Sequence, residues 1–383
     1  VKIVIAPDSF KGSLTAKQAA DAIETGIKRV IPEAECVKVP MADGGEGTVQ
    51  SLVDATGGQF IRAAVKDPFN RVTLARYGIL GDHQTAVIEM AAASGLQFTT
   101  ASTADPRITT TYGTGQLILD ALDHGVKRII LGLGGSATND GGAGMVQALG
   151  VHLLDQSGHE LSFGGGQLAQ LATVDTSHID SRITHTEMVI ASDVTNPLIG
   201  PKGASIVFGA QKGANDEMRH QLDHNLTHYA AVLKQQLHVD VAQTPGAGAA
   251  GGLGAGLLAF TDANIRPGVQ VVVAYTHLKE QAKGAHLVFT GEGSVDSQTQ
   301  FGKAPIGVAQ ATKSVVPQAP VIALAGNVGR QINDLYGDSG IDAIFPTVQG
   351  VSALSDALQE ASFNLSRTAE NISRLVVKIQ KSC

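Results

Sequence analysis

Apolar and polar positions along this chain repeat with two different periods, and the changes of period divide it into three stretches. KIVIA, residues 2 to 6, is a continuous apolar run of the kind that forms a strand covered on both faces. From Thr15 onward the apolar positions take helical spacing, with Ala16, Ala19, Ala20, Ile23, Ile27 and Val30 on one face. Thr15 followed by Gln18 also fits a capping box. ECVKV (35 to 39), the loop ADGGEGT and a helix from Thr48 to Ala55 complete a β-α-β-α opening, the start of a parallel sheet.

From about residue 60 the pattern changes. FIRAAV, VTLARYGI and TAVIEM, separated by the turn signals DPFN and GDHQ, predict an antiparallel meander. This stretch continues through a helix at 115 to 124, the strand RIILGL, a glycine-rich loop, the apolar runs VHLLD, EMVIASDV and ASIVF, a polar helix near 215 to 237, and the glycine run PGAGAAGGLGAG. After Arg266-Pro267 the first style returns with HLVFTGEG, a helix from about 304, VIALAG, AIFP, and a long helix ending near Lys381. Two strands from the start and three from the end can share one sheet. The expectation is therefore an α/β protein of two domains: a Rossmann-like parallel-sheet domain from residues 1–60 and 265–383, and an inserted α/β domain, 61–264, with some antiparallel strands.

Bulk composition narrows the function classes. The 383 residues are 43% apolar, which indicates a globular chain with more than one core. Lys plus Arg is 28 against 35 Asp plus Glu, a net charge of -7 without a basic cluster, so nucleic acid is not an expected partner. Cys36 and Cys383 lie far apart and the twelve His show no metal-ligand spacing, so neither a disulfide framework nor a structural zinc site is expected. VKIVIAPDSF lacks a basic leader, and no run approaches the ~18 apolar residues of a membrane span. The expected location is the cytoplasm, with small molecules as partners.

Ligands of an open parallel sheet sit beyond the carboxyl ends of its strands. Those positions here are polar: Asp8-Ser9-Phe10-Lys11, then Asp43-Gly44-Gly45-Glu46-Gly47, then Gly291-Glu292-Gly293 with Asp296 and Lys303 beyond. The middle stretch adds Glu89, Asp140 and Asp193. Each carboxylate alone could cap a helix or close a turn. Together, on a chain with 45 glycines, they predict at least two loops facing a common cleft.

GLGGSATNDGGAGM (132 to 145) has the bare backbone that lets N–H groups approach an anion. Gly132-x-Gly134-x-x-Ala137, with Asp155 downstream, partly imitates a dinucleotide fingerprint and leaves an NAD-dependent hydroxy-acid dehydrogenase as a lesser alternative. A non-catalytic solute-binding protein would share the inserted-domain layout but would be expected to carry an export signal. There is no GxxxxGK[ST], hence no P-loop.

Read in order, the segments APDSFKGSL, ADGGEGT, EMAAASGL, TYGTGQLI, GLGGSATNDGGAGM, SDVTNPL, GAQKGA, PGAGAAGGLGA, TGEGSVDSQT and GKAPIG resemble the glycerate kinases of the bacterial type-1 family. The resemblance implies transfer of the ATP γ-phosphate to a hydroxyl of D-glycerate with Mg2+, in a two-domain α/β protein unrelated to P-loop kinases. It implies most often the 2-phosphate, with the 3-phosphate as the alternative.

For such a reaction, chemistry assigns the loop bearing Gly134, Gly135, Ser136, Thr138 and Asn139 to the ATP phosphates, with Gly291 and Lys303 as further nucleotide contacts. Asp193, Glu292 and Asp296 are the expected magnesium ligands. Lys11 is expected at the glycerate carboxylate, Asp8 and Asp43 at its hydroxyls, with Ser9 and Glu46 beside them. The expected base is Asp193, with Asp43 second.

Overall fold

The computed structural model describes residues 1–380. The chain opens with β1 (Lys2–Pro7), α1 (Ala16–Lys28), β2 (Glu35–Lys38) and α2 (Thr48–Thr56). It continues with β3 (Gln59–Lys66), β4 (Val72–Ile79), β5 (Thr85–Glu89), α3 (Ala91–Ser94), α4 (Tyr112–Asp123), β6 (Arg128–Gly132), α5 (Ala143–Ala148), β7 (His152–Leu154), β8 (Thr173–Asp175) and β9 (Glu187–Ala191). Then come α6 (Ala204–Phe208), α7 (Asp216–Leu237), α8 (Ala249–Phe260) and β10 (Asn264–Arg266). The return is α9 (Gly268–Tyr275), α10 (Leu278–Ala282), β11 (Leu287–Val295), α11 (Ala304–Lys313), β12 (Val321–Val328), β13 (Ala343–Pro346), α12 (Leu354–Gln359) and α13 (Ala361–Gln380). The expected end near Lys381, and Cys383, lie outside the described residues. Contacts group the chain into two compact units, one made of Val1–Gly57 with the chain from Pro267 onward, the other Gly58–Arg266.

The five strands expected to share a sheet do so. The first unit has the order β13-β12-β11-β1-β2, with every neighbouring pair parallel. The capping box forms as read: the Gln18 amide N–H donates to Thr15 Oγ1 at 3.2 Å, and the Thr15 N–H donates to Gln18 Oε1 at 2.9 Å. The apolar stripe of α1 and the residues Leu365, Ala369 and Ile372 of α13 close one face of the sheet over Ile3, Ile5, Leu287 and Phe289. Truncating Ile23, wholly buried in that layer, would cost about 2–5 kcal/mol. α11 packs on β11, and α9 and α10 pack against α11.

The second unit differs from expectation in two places. The three-strand meander is half of a six-stranded mixed sheet, β10-β9-β6-β5-β4-β3. TAVIEM pairs antiparallel with β4 on one edge and parallel with β6 on the other, so it joins the hairpin to a parallel half. ASIVF, apolar and β-branched, forms the short helix α6, in which Ala204 and Ser205 are buried. Five residues offer too little pattern to separate a buried strand from a buried helical turn. β7 and β8 form a separate antiparallel pair.

Candidate active site

In the first unit the chain leaves β1 toward β2 on one side, while β11, β12 and β13 run to the other. The reversal lies between β1 and β11, the topological switch point where an open parallel sheet leaves a crevice. Pro7 pairs with Gly291, and the Asp8 N–H donates to the Gly291 carbonyl at 2.8 Å, so Asp8 sits at the mouth of this crevice. A cavity of about 690 Å³ opens there, lined by Asp8, Ser9, Lys11, Asp43, Glu292 and Lys303 among others. Six residues expected from separate loops therefore share one site.

Its electrostatics are strained. Asp8 is 7% exposed, and its carboxyl is pushed up to about 7, first by burial, then by the neighbouring Asp43 and Glu292 charges; Lys11 and the Ser9 N–H act in the opposite sense. Glu292 is raised as well, chiefly by burial, despite the Thr299 hydroxyl donating to its Oε1 at 2.8 Å. Lys303 Nζ lies 3.6 Å from both Glu292 Oε2 and Asp296 Oδ1. Asp43 is not the cap of α2, whose N-cap is Gly47 without a side-chain hydrogen bond, and Asp43 Oδ1 accepts the local Gly45 N–H at 3.0 Å. Glu46 is exposed and, with Ser9 and Lys11, borders an adjoining hollow of about 340 Å³.

One expectation in this unit is corrected. GEG is not a loop: β11 continues to Val295, so Glu292 stands on a strand paired with Ala325. Gly291 lies inside the sheet, where a Cβ would come within 2.1 Å of the Leu324 carbonyl oxygen, so strand packing by itself explains why a glycine stands there. Asp296 accepts the Gln298 N–H at 2.8 Å as part of its own turn and donates its own N–H to Thr299 Oγ1, and Lys303 Nζ lies 3.6 Å from its Oδ1.

In the second unit, Glu89, Gly132, Ala191 and Arg266 stand side by side at the carboxyl edge of the parallel half-sheet. Two and three residues beyond Gly132 come Gly134 and Gly135, both exposed; two beyond Ala191 comes Asp193, also exposed. The rest of the glycine loop turns inward. Ser136 Oγ and Thr138 Oγ1 are 2.9 Å apart, and Asn139 Nδ2 donates to Ser205 Oγ at 2.8 Å. Asp140 is fully buried and accepts from the Thr111 N–H and hydroxyl and from the N–H groups of Gly142 and Gly144. The Ser136 and Thr138 hydroxyls, expected at the ATP phosphates, turn toward each other inside the loop, and Gly134 and Gly135 are its exposed positions.

The second glycine run supports the loop from behind. Gly251 has φ +68, and a Cβ there would fall 1.9 Å from the Thr138 carbonyl oxygen, so only glycine allows the approach. Asp155 closes its own hairpin by accepting the Ser157 and His159 N–H groups, which removes the support for a dinucleotide fingerprint. Among the described residues no group of three or more His, Cys, Asp or Glu is arranged to hold a metal ion; Glu292 and Asp296 belong to the first unit and Asp193 to the second. No helix among the described residues is long and apolar enough to cross a membrane.

The model of the glycerate kinase family matches residues 3–377. The chain belongs to the glycerate kinase family. It is 52% identical to a glycerate kinase of Halalkalibacterium halodurans and 50% identical to a glycerate 2-kinase of Escherichia coli, covering 97% of each chain in both comparisons. The crystal structure of a candidate glycerate kinase 2 from Salmonella typhimurium LT2 superposes with a TM-score of 0.91 at 48% identity, covering 100% of this chain and 99% of that one.

Three parts of this glycerate kinase family member escaped the sequence reading. Lys212 is 2% exposed, and its Nζ donates to the Thr138 carbonyl at 2.6 Å; burial lowers its ammonium to about 7 against the attraction of Asp140. Thr109, Thr110 and Thr111 are wholly buried and tie three segments together: the Thr109 hydroxyl to the Ala137 carbonyl, the Thr110 N–H to the Pro68 carbonyl, and Thr111 to Asp140. Thr299 orients Glu292. The only sequence signal was a lysine set among small residues in GAQKGA.

Proposed function

We propose that this chain transfers the γ-phosphate of ATP to D-glycerate, giving ADP and 2-phospho-D-glycerate. The observation that carries this reading is the group Asp8, Asp43 and Glu292 at the switch point with Lys11 and Lys303 around it, in a member of the glycerate kinase family. The name of the Escherichia coli relative supports the 2-hydroxyl as acceptor.

Phosphoryl transfer needs positioned reactants, charge neutralisation and a group to take the acceptor proton. Lys11, exposed beside the cavity, holds the glycerate carboxylate, and Asp43 accepts from the hydroxyl that is not phosphorylated. Asp8 takes the proton of the attacking hydroxyl, the role first assigned to Asp193; a carboxyl held near 7 has the basicity this step wants at neutral pH. Lys303, oriented by Glu292 and Asp296, meets the transferring phosphoryl. Magnesium usually binds through one or two carboxylates, phosphate and water, so Glu292 and Asp296, both in the first unit, would hold it without a three-residue cage; it would neutralise phosphate charge.

The test is a coupled ADP-release assay with Mg-ATP and D-glycerate, L-glycerate or no acceptor, followed by phosphorus NMR. ADP released only with D-glycerate, and a phosphorus signal coupled to one carbinol proton, is the expected result. Coupling to a methylene pair would replace the 2-phosphate by the 3-phosphate, and release no faster than the acceptor-free control would overturn the kinase reading.

A further inference from the structure

The second unit carries a groove of about 740 Å³ that the proposed chemistry leaves unused, between the turn after β3 and the loop at 98–108. Phe69 and Phe98 line it together with Ile108, which is 54% exposed, Met218, Arg71 and Arg107. Thr100, Ser102, Thr103 and Asp105 complete a mixed lining, and the volume is larger than a three-carbon hydroxy acid needs and in the range of sites for flat organic ligands.

Its position follows from the sheet. β3 runs antiparallel to β4 and β4 antiparallel to β5, so the turn after Lys66 lies at the edge where Glu89, Gly132 and Ala191 end. The groove therefore opens on the same edge as Gly134 and Gly135. Hydrogen bonds make the connection rigid: Thr110 holds the turn through Pro68, Thr109 holds the glycine loop through Ala137, and the Leu96 N–H donates to the Gly135 carbonyl at 2.9 Å.

The walls are preorganised. Asp67 accepts the Phe69 and Arg71 N–H groups and the Arg71 Nε–H, which sets the Arg71 guanidinium 5.0 Å from the centre of the Phe69 ring. Asp105 pairs with Arg107 through Nε and Nη2. The Gly166 N–H donates to the Arg107 carbonyl at 2.9 Å, fixing the second wall. Aromatic faces and guanidinium planes held in place are the surfaces on which a nucleobase stacks.

We propose that this groove binds the purine base and ribose of the nucleotide, with the phosphates directed to Gly134 and Gly135. The inference rests on the ATP-dependent reading above and adds the location of the base to it.

Calorimetric titration of the full chain with Mg-ADP and, separately, with inorganic tripolyphosphate tests it. Phe98→Ala and the surface change Ile108→Glu should each weaken ADP binding about tenfold or more and leave tripolyphosphate within about twofold. Circular dichroism melts of both variants, and turnover of the unchanged chain with D-glycerate, complete the experiment. ADP affinity equal to that of the unchanged chain in both variants, or an equal loss for tripolyphosphate, would overturn the proposal even where turnover upholds the kinase. Absent turnover beside selective loss of ADP would instead keep the base site and remove glycerate as acceptor.

Discussion

Asp8 and Asp140 are both buried aspartates in loops that follow a central parallel strand, and both are raised by burial. Their surroundings are opposite. Asp140 accepts four donors from its own unit and stands near the buried Lys212 ammonium. Asp8 has the adjacent Ser9 N–H and faces two more carboxylates. A buried charge whose hydrogen bonds are made within the protein holds structure, whereas one left against like charges stores free energy that substrate and cation binding can release. Similar strand-loop patterns thus give a framework in one unit and a cavity of crowded carboxylates in the other.

The comparison breaks most visibly at Asp140. Asp140→Ala leaves the Thr111 hydroxyl and several loop N–H groups unpaired and should destabilise the second unit by about 3–5 kcal/mol, read as a lower melting temperature in calorimetry. A loss below about 1 kcal/mol would show that its four hydrogen bonds do not hold the loop.

Asp8→Asn should act in the opposite direction on stability. The folded carboxyl titrates at about 7 against an ordinary 3.8, so the native state binds the extra proton and is favoured at low pH. That stability is present below about 4 and is lost as pH rises to about 7. The variant should therefore melt above the unchanged chain at pH 7.5, by a margin of a few kcal/mol at most, and the two should converge at pH 4; equal melting at both pH values would remove the strain from the account.

Lys212 sharpens the contrast because it is a base. With a folded value of about 7 against 10.5, the unfolded chain binds more protons between those limits, so its burial costs most below pH 7 and the cost fades toward pH 10.5. Comparing denaturant midpoints of Lys212→Met and the unchanged chain across pH 6.5–9.5 should show the unchanged chain gaining on the variant as pH rises. The smallest effect belongs to Lys11, exposed and outside the buried cluster. Lys11→Ala should raise KM for glycerate about tenfold, roughly 1.4 kcal/mol, with KM for ATP unchanged; an unaltered glycerate KM would place the carboxylate elsewhere.

The parallel sheet was legible because KIVIA, HLVF and VIALAG are continuous apolar runs, and the Thr15 cap because it is a local pattern. The joint position of Asp8, Asp43 and Glu292 was legible too, since strand ends of one sheet must converge. What escaped was burial. GGSATND reads equally as a phosphate cradle or as backbone packed on backbone, and only the approach of Gly251 to Thr138 decides which. Likewise GEG looks like a loop until Gly291 is seen to face Leu324. Asp8 carries no mark in the sequence of its raised carboxyl, because that value arises first from burial and then from neighbours 35 and 284 positions away.

The most direct measurement of the central claim is the pH dependence of kcat/KM for D-glycerate at saturating Mg-ATP, for the unchanged chain and for Asp8→Asn. The account predicts that the unchanged chain gains activity as pH rises through about 7 and that the variant is lower by about 10²–10⁴ and lacks this limb. A variant with undiminished activity and the same limb would show that a group other than Asp8 accepts the hydroxyl proton.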